Sequence, residues 1–146
     1  MVVLARRTNG NGRAVSLSHV SEETMISRRY LEQLAIGLKG NALIRGKSGR
    51  GGGYTLARSP DKITIRDIIE STIGPINIVE CALQPEICAI SDVCECRQLY
   101  RVINDRITSV MDTVVLSDIV DARRLRSMVT ALDAGLEASC RVKHKD

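Results

Sequence analysis

Residues 27–58 read SRRYLEQLAIGLKGNALIRGKSGRGGGYTLAR, and two different periodicities meet inside them. In the first half Leu31, Leu34, Ala35 and Leu38 recur at the three-to-four spacing of one helix face. Ser27 suits an N-cap, because its hydroxyl can accept a bond from a backbone N–H that the first helical turn leaves unpaired. The pair Gly40-Asn41 supplies a stop. The spacing therefore predicts a helix over 27–39. In the second half ALIRG and GYTLAR flank a glycine-rich turn, the pattern of a two-stranded hairpin. Upstream, LARRTNGNGR reads as the end of a short helix running into a turn. LSHVSEETMIS then places Leu17, Val20, Met25 and Ile26 as apolar positions of another helix, with Ser16 as its cap. Two helices joined by a short turn and followed by a hairpin is the order of a winged helix-turn-helix. The fold class expected is mainly α with a small β wing.

Charge supports that order. The net charge of +4 is unevenly spread. Residues 1–58 carry ten Lys or Arg against Glu22, Glu23 and Glu32, which gives +7, and residues 59–146 carry eleven against fourteen acids, which gives −3. A basic front half suits a polyanion such as a double-stranded DNA operator; the alternative is a solvated charged face. In a winged helix the helix beginning at Ser27 would enter the major groove, exposing Ser27, Arg28, Arg29, Tyr30 and Gln33. Gln33 can pair bidentately with adenine, and Arg28 or Arg29 with guanine or a phosphate. Tyr30 serves equally as a core-edge residue with its hydroxyl on a phosphate. Lys47 and Arg50, together with Arg45, would set the hairpin on the phosphate backbone or in the minor groove. A nucleotide phosphate loop at GRGGGY is disfavoured, because the Gly-Lys-Ser/Thr ending and a following helix are missing.

The back half reads differently. KITIRDIIESTIG suggests a strand start leading into a helix with Ile65, Ile68, Ile69 and Ile73 on its buried side, ended by Gly74-Pro75. CALQPEICAISDVCEC, residues 81–96, holds four of the five cysteines, and Pro85 makes a loop with a short helix the better reading than a strand. From Glu95 to Val115 a long helix is expected. Its apolar seam of Leu99, Val102, Ile103, Arg106, Ile107, Val110 and Val114 would be covered by a second copy of the chain, or else by its own domain. The tail forms a short amphipathic helix with a basic terminus. The expected organisation is a DNA-binding unit over 1–78, a cysteine loop over 79–96, a dimerisation helix region over 97–120 and a helical tail over 121–146.

With 146 residues, no Trp, no Phe and three Tyr, the core must be aliphatic. No apolar run reaches the roughly 18 residues of a membrane helix, and the front lacks a secretory signal, so a cytoplasmic location without membrane contact is expected. Thiols clustered in a reducing compartment point to metal or redox chemistry rather than stable disulfides. Thiolates hold zinc and iron–sulfur clusters alike, and spacing does not separate the two. Cys140 stands apart in the tail, and His19 and His144 lie in no ligand-spaced motif. Nothing suggests an enzyme: there is no nucleophile–base pair, no H-E-x-x-H and no carboxylate dyad.

Three stretches together carry a resemblance. ISRRYLEQL, then GRGGGYTLAR followed by ITIRDIIE, then Cys81, Cys88 and Cys94 ahead of a long helix, resemble the Rrf-type family of winged-helix transcription regulators over residues 3–120. The resemblance implies a homodimer bound to operator DNA. It also implies an iron–sulfur cluster, 2Fe–2S or 4Fe–4S, held by Cys81, Cys88 and Cys94 and sensing redox state, nitric oxide or iron–sulfur status. It makes Ser27, Arg29, Tyr30 and Gln33 the major-groove face, with Glu32 tuning which sites are accepted. Three departures stand out. Relatives carry about ten more residues at the front of the first helix. Ser48 stands where an Arg is frequent in the wing. Arg97 occupies the place of a His ligand used by some relatives, which leaves Cys96 as the local substitute for a fourth ligand. A zinc site, a thiol–disulfide switch and a metal-dependent protein-interaction module remain the alternatives.

Overall fold

The hydroxyl of Ser16 accepts the His19 backbone N–H at 3.2 Å and that of Ser27 accepts the Tyr30 N–H at 3.3 Å, so both expected caps open their helices. In the computed structural model of the chain, residues 1–8 and 13–140 are described, the last six as backbone only. Helix α1 spans Val2–Thr8, α2 spans Leu17–Thr24 and α3 spans Arg28–Gly40. Strands β1 (Ile44–Lys47) and β2 (Gly53–Leu56) pair antiparallel with Ile44 opposite Leu56. A single 3-10 turn over Pro60–Lys62 leads to α4 (Ile65–Ile73). Thr64 and Asp67 close a reciprocal capping box at the start of α4, satisfying two otherwise orphan N–H groups. The fold is mainly helical with one small two-stranded sheet, as expected.

Val15 extends the wing on its outer edge, exchanging both backbone bonds with Tyr54 at 2.8 and 2.9 Å. That approach dictates the residue before Tyr54. Gly53 has φ +148, and a Cβ there would lie 2.4 Å from the Val15 carbonyl oxygen, so no side chain fits.

The core is aliphatic. Leu43, Ile63 and Leu116 are its fully buried centre, joined by Val3, Leu4 and Ala5 of α1 and by Leu31, Ala35 and Leu38 of α3. Leu34 of the expected α3 face is only half-buried. Met25 is 89 % exposed rather than buried, because it sits in the α2–α3 turn with φ +59 and faces away from the core. On α4 the expected buried side is only partly covered. Ile65, Ile68 and Ile69 are half-buried, while Ile73, in the last turn before Gly74, is 74 % exposed.

The chain then leaves the winged helix and returns to it. Helix α5 is one turn over Glu80–Leu83, a 3-10 turn covers Pro85–Ile87, and α6 runs over Glu95–Thr113. After α6 the backbone of Val114 accepts from Ile65 N–H at 2.9 Å and Leu116 donates to Ile63 at 2.8 Å. Helix α7 (Leu116–Val120) thereby packs against α1, and α8 (Ala122–Cys140) follows. Residues 97–120 thus include a return to the core as well as a long helix. No described helix is long and apolar enough to cross a membrane.

Candidate nucleic-acid interface and cysteine loop

Ser27 caps α3, and around its first turns Ser27, Arg28, Arg29, Tyr30 and Gln33 are all exposed while Leu31 is buried. The exposed five do not share one state. Arg28 is engaged: its Nε donates to Glu32 at 3.0 Å and its NH1 to the Ser18 hydroxyl at 3.4 Å. Glu32 therefore neutralises one guanidinium on this face. The side chains of Arg29 and Gln33 make no hydrogen bond or ion pair with a described residue, which leaves their donors and acceptor open to a partner. On the wing Lys47 and Arg50 are likewise exposed and unpaired among the described residues. Arg45 donates to the Ala57 carbonyl at 3.1 Å and so braces the hairpin. The face that remains free on α3 and on the wing is cationic or amide.

The charge count included Arg6, Arg7 and Arg13 without giving them a place. They line one cleft together with Gly51 and Gly52 of the wing, extending the basic surface from α1 to the hairpin tip. Arg7 pairs with Glu23 at 3.3 Å, and His19 Nε2 lies 3.5 Å from the same carboxylate. The Glu23 carboxylate thus lies between Arg7 and the half-buried imidazole of His19. The tail's His144 lies outside the described residues, and Cys140 is described only as backbone.

The cysteine segment folds as a short helix, a 3-10 turn and a series of turns ending at α6. Cys81 lies in α5, Cys88 follows the 3-10 turn, and Cys94 is the N-cap of α6 with Cys96 in its first turn. All four thiols are free, the first three half-buried and Cys96 exposed. Arg97 fastens the segment: its Nε donates to the Cys81 carbonyl at 2.9 Å and its NH1 to the Ser91 carbonyl at 3.4 Å. A guanidinium has five donors and no acceptor, so at this position it binds backbone rather than metal.

Helix α6 presents two faces. Leu99, Val102, Ile103, Arg106 and Val110 are exposed, whereas Tyr100, Asn104, Ile107, Met111 and Val114 are turned to the domain. The single seam expected from sequence is divided: Ile107 and Val114 belong to the inner stripe. Arg66 of α4 ties α6 to the winged helix through Asp112 at 2.9 Å and pairs with Glu70 of its own helix at 3.0 Å. Those two carboxylates raise the Arg66 pKa above its ordinary value.

A family model described as Rrf2, iron-dependent transcriptional regulator, matches residues 1–122. The chain belongs to the Rrf2 family. Among its curated relatives, the HTH-type transcriptional regulator CymR of Bacillus subtilis is 36 % identical over 119 residues, covering 82 % of this chain and 80 % of the relative. IscR of Pectobacterium carotovorum is 31 % identical over 122 residues, 84 % of this chain and 74 % of the relative. The solved structure of the global cysteine regulator CymR of B. subtilis superposes with a TM-score of 0.64 at 32 % identity, covering 82 % of this chain and 85 % of that one. T. potens IscR gives 0.61 at 27 % identity, covering 82 % and 76 %.

Against an iron–sulfur cluster of the kind expected for this Rrf2 chain, the cysteine loop gives a divided answer. Its donor set fits in chemistry, with up to four free thiols on one loop. Its conformation does not: among the described residues no three Cys, His, Asp or Glu side chains are gathered to hold a metal ion.

Proposed function

We propose that this chain is a homodimeric DNA-binding transcription regulator that reads its signal through the thiols of residues 81–96. The observation that carries the DNA-binding part is the free face of α3 beside the wing. Arg29 and Gln33 stand exposed and unpaired at the start of a capped helix, with Lys47 and Arg50 on the adjacent hairpin. In a winged helix this face meets base edges while the wing lies on phosphates. Arg28, tied to Glu32, contributes by exchanging that carboxylate for a phosphate or a guanine. Ser27 and Tyr30 border the same face.

Dimerisation uses the outer stripe of α6. A second copy is the natural cover for Leu99, Val102, Ile103 and Val110, and a two-fold pair of α3 helices then matches two half-sites. Cys81, Cys88 and Cys94 are the residues that would hold an iron–sulfur cluster, with Cys96 as the fourth. When bound, the cluster would supply a redox- and nitric-oxide-reactive group whose gain or loss changes how the loop is fixed to α6. Gathering those thiols requires the loop to rearrange around Arg97.

The ungathered, half-exposed thiols favour a second reading as well, in which zinc or a thiol–disulfide exchange replaces the cluster. Anaerobic purification with the visible spectrum, iron, sulfide and zinc measured on one sample separates the two. Brown protein with matching iron and sulfide supports the cluster, and colourless protein refutes it.

DNA binding is tested by titrating a palindromic duplex at several salt concentrations. Each phosphate contact steepens the salt dependence, so Lys47→Ala should flatten the slope by about one. Arg29→Ala and Gln33→Ala should each weaken binding by about 1–3 kcal/mol and relax preference at one base position. Salt-independent binding would leave a protein-interaction module as the better account.

A further inference from the structure

Between the cysteine loop and the inner side of α6 lies a cavity of about 430 Å³ that neither the DNA face nor the thiols use. Its roof is apolar, formed by Ala82, Leu83 and Pro85. Its floor is polar, formed by Arg97, Arg101, Asn104 and Asp105 on successive turns of α6. Asn104 is 95 % buried by complement of its 5 % exposure, and its Oδ1 has no hydrogen-bond partner. An unsatisfied buried acceptor destabilises the fold unless something donates to it. Arg101 and Asp105 are one turn apart, yet no ion pair joins them and neither has a described partner. Arg97 is spent on the loop carbonyls and serves as the wall.

We propose that this cavity binds a small zwitterion of the free α-amino-acid class. The chemistry of the floor is the argument. A guanidinium takes a carboxylate, while Asn104 Oδ1 and the Asp105 carboxylate both accept from an ammonium group. Each charged group of such a ligand meets the complementary one, and the orphan acceptor is satisfied. The apolar roof covers a side chain, and the volume falls in the range of small-molecule sites. An anion alone would leave Asn104 unmet and place a negative charge beside Asp105. A cation alone would leave Arg101 unmatched.

The site also lies on the opposite side of α6 from the exposed stripe of Leu99, Val102, Ile103 and Val110, so a partner on that stripe leaves it open. Because its roof is part of the cysteine loop, an occupant would hold α5 against α6. The inference goes beyond the reading above and does not depend on DNA binding; it concerns the conformation in which the thiols of the loop are ungathered and Arg97 holds the Cys81 and Ser91 carbonyls.

The test is a thermal-shift screen of the full-length, reduced protein against each of the common L-amino acids at millimolar concentration, followed by calorimetric titration of those that raise the melting temperature. Acetate and methylamine serve as half-ligand probes. The expected result is a shift with one or more amino acids, little with either half-ligand, and a loss of affinity of roughly tenfold or more in Arg101→Gln and in Asp105→Asn. Arg126→Gln, on α8 and away from the cavity, should bind as the parent does. Arg101 and Asp105 are exposed, so their variants should fold and report binding alone. No shift with any amino acid overturns the proposal, as does binding that survives both substitutions, or an equal shift from acetate or methylamine alone.

Discussion

Gly37→Ala should destabilise the protein although Ala is the better helix former. Gly37 lies inside α3, where Gly costs about 0.8–1.0 kcal/mol relative to Ala, so propensity alone predicts a gain. The crossing of α3 with α4 reverses the sign. A Cβ on Gly37 would sit 2.0 Å from the Ser71 carbonyl oxygen and 3.1 Å from its carbonyl carbon. Both are backbone atoms of a packed helix, so α4 as a whole must move. Overpacking of that kind costs about 1–3 kcal/mol or more, and a contact this short belongs at the upper end. The expected net loss is about 1–2 kcal/mol. Gly40, three residues on, is the control: a Cβ there meets nothing within 4 Å, and its φ is not in the left-handed region. Gly40→Ala should be neutral or stabilise by up to about 1 kcal/mol. Urea unfolding followed by circular dichroism, with all variants at one concentration so that any self-association contributes equally, gives both values. If Gly37→Ala matched or exceeded Gly40→Ala in stability, the close crossing of the two helices would be refuted. The crossing matters to function because α4 is the element through which α3 is linked, by Arg66 and Asp112, to α6.

Other expectations follow from single contacts. Ser27→Ala removes the hydroxyl that accepts the Tyr30 N–H and should cost about 1 kcal/mol in the same unfolding assay, with weaker duplex binding from a frayed first turn. Val102→Asp, at a residue 59 % exposed on the outer stripe of α6, should shift the protein from dimer to monomer in sedimentation equilibrium while leaving its helix content unchanged; an unchanged mass would place the dimer contact elsewhere. Arg97→Ala removes two charge-assisted bonds to the loop and should speed amide exchange across residues 80–94 by an amount worth about 1–3 kcal/mol, with protection of α3 intact.

The local signals were legible because each depends on residues close in sequence. Ser16 and Ser27 cap the helices they precede, and the glycine-rich hairpin folds as its turn chemistry requires. Arg28 illustrates the limit. From sequence it was interchangeable with Arg29; in the fold, α2 brings Ser18 to it and Glu32 lies one turn below, so the two arginines differ in what they have free. Arg97 illustrates the same limit in the cysteine loop. Sequence showed only that it could not bind metal, whereas its two carbonyl partners lie six and sixteen residues away.

Helix α6 shows why the remainder was hidden. A window of apolar residues at three-to-four spacing measures that a helix has an apolar side; it does not measure how many partners share that side. Leu99, Val102, Ile103 and Val110 occupy one sector of the helix and Ile107 the adjoining one, with Val114 in extended backbone just past its end, and periodicity merges them. What separates them is long-range: the backbone bonds of Val114 and Leu116 to residues 63–65 turn the end of α6 back onto the core. Once that return is fixed, Ile107 and Val114 must face the winged helix and the other sector must face outward. Asn104 falls within the inward sector, where an amide would be a poor choice if packing were the only demand on it. A sequence that places Asn there, under the cysteine loop and beside Arg101 and Asp105, retains polar character where an aliphatic residue would have completed the core. The exposed outer stripe and the polar inner pocket thus give α6 two separate surfaces, one apolar and facing outward and one polar and facing its own loop.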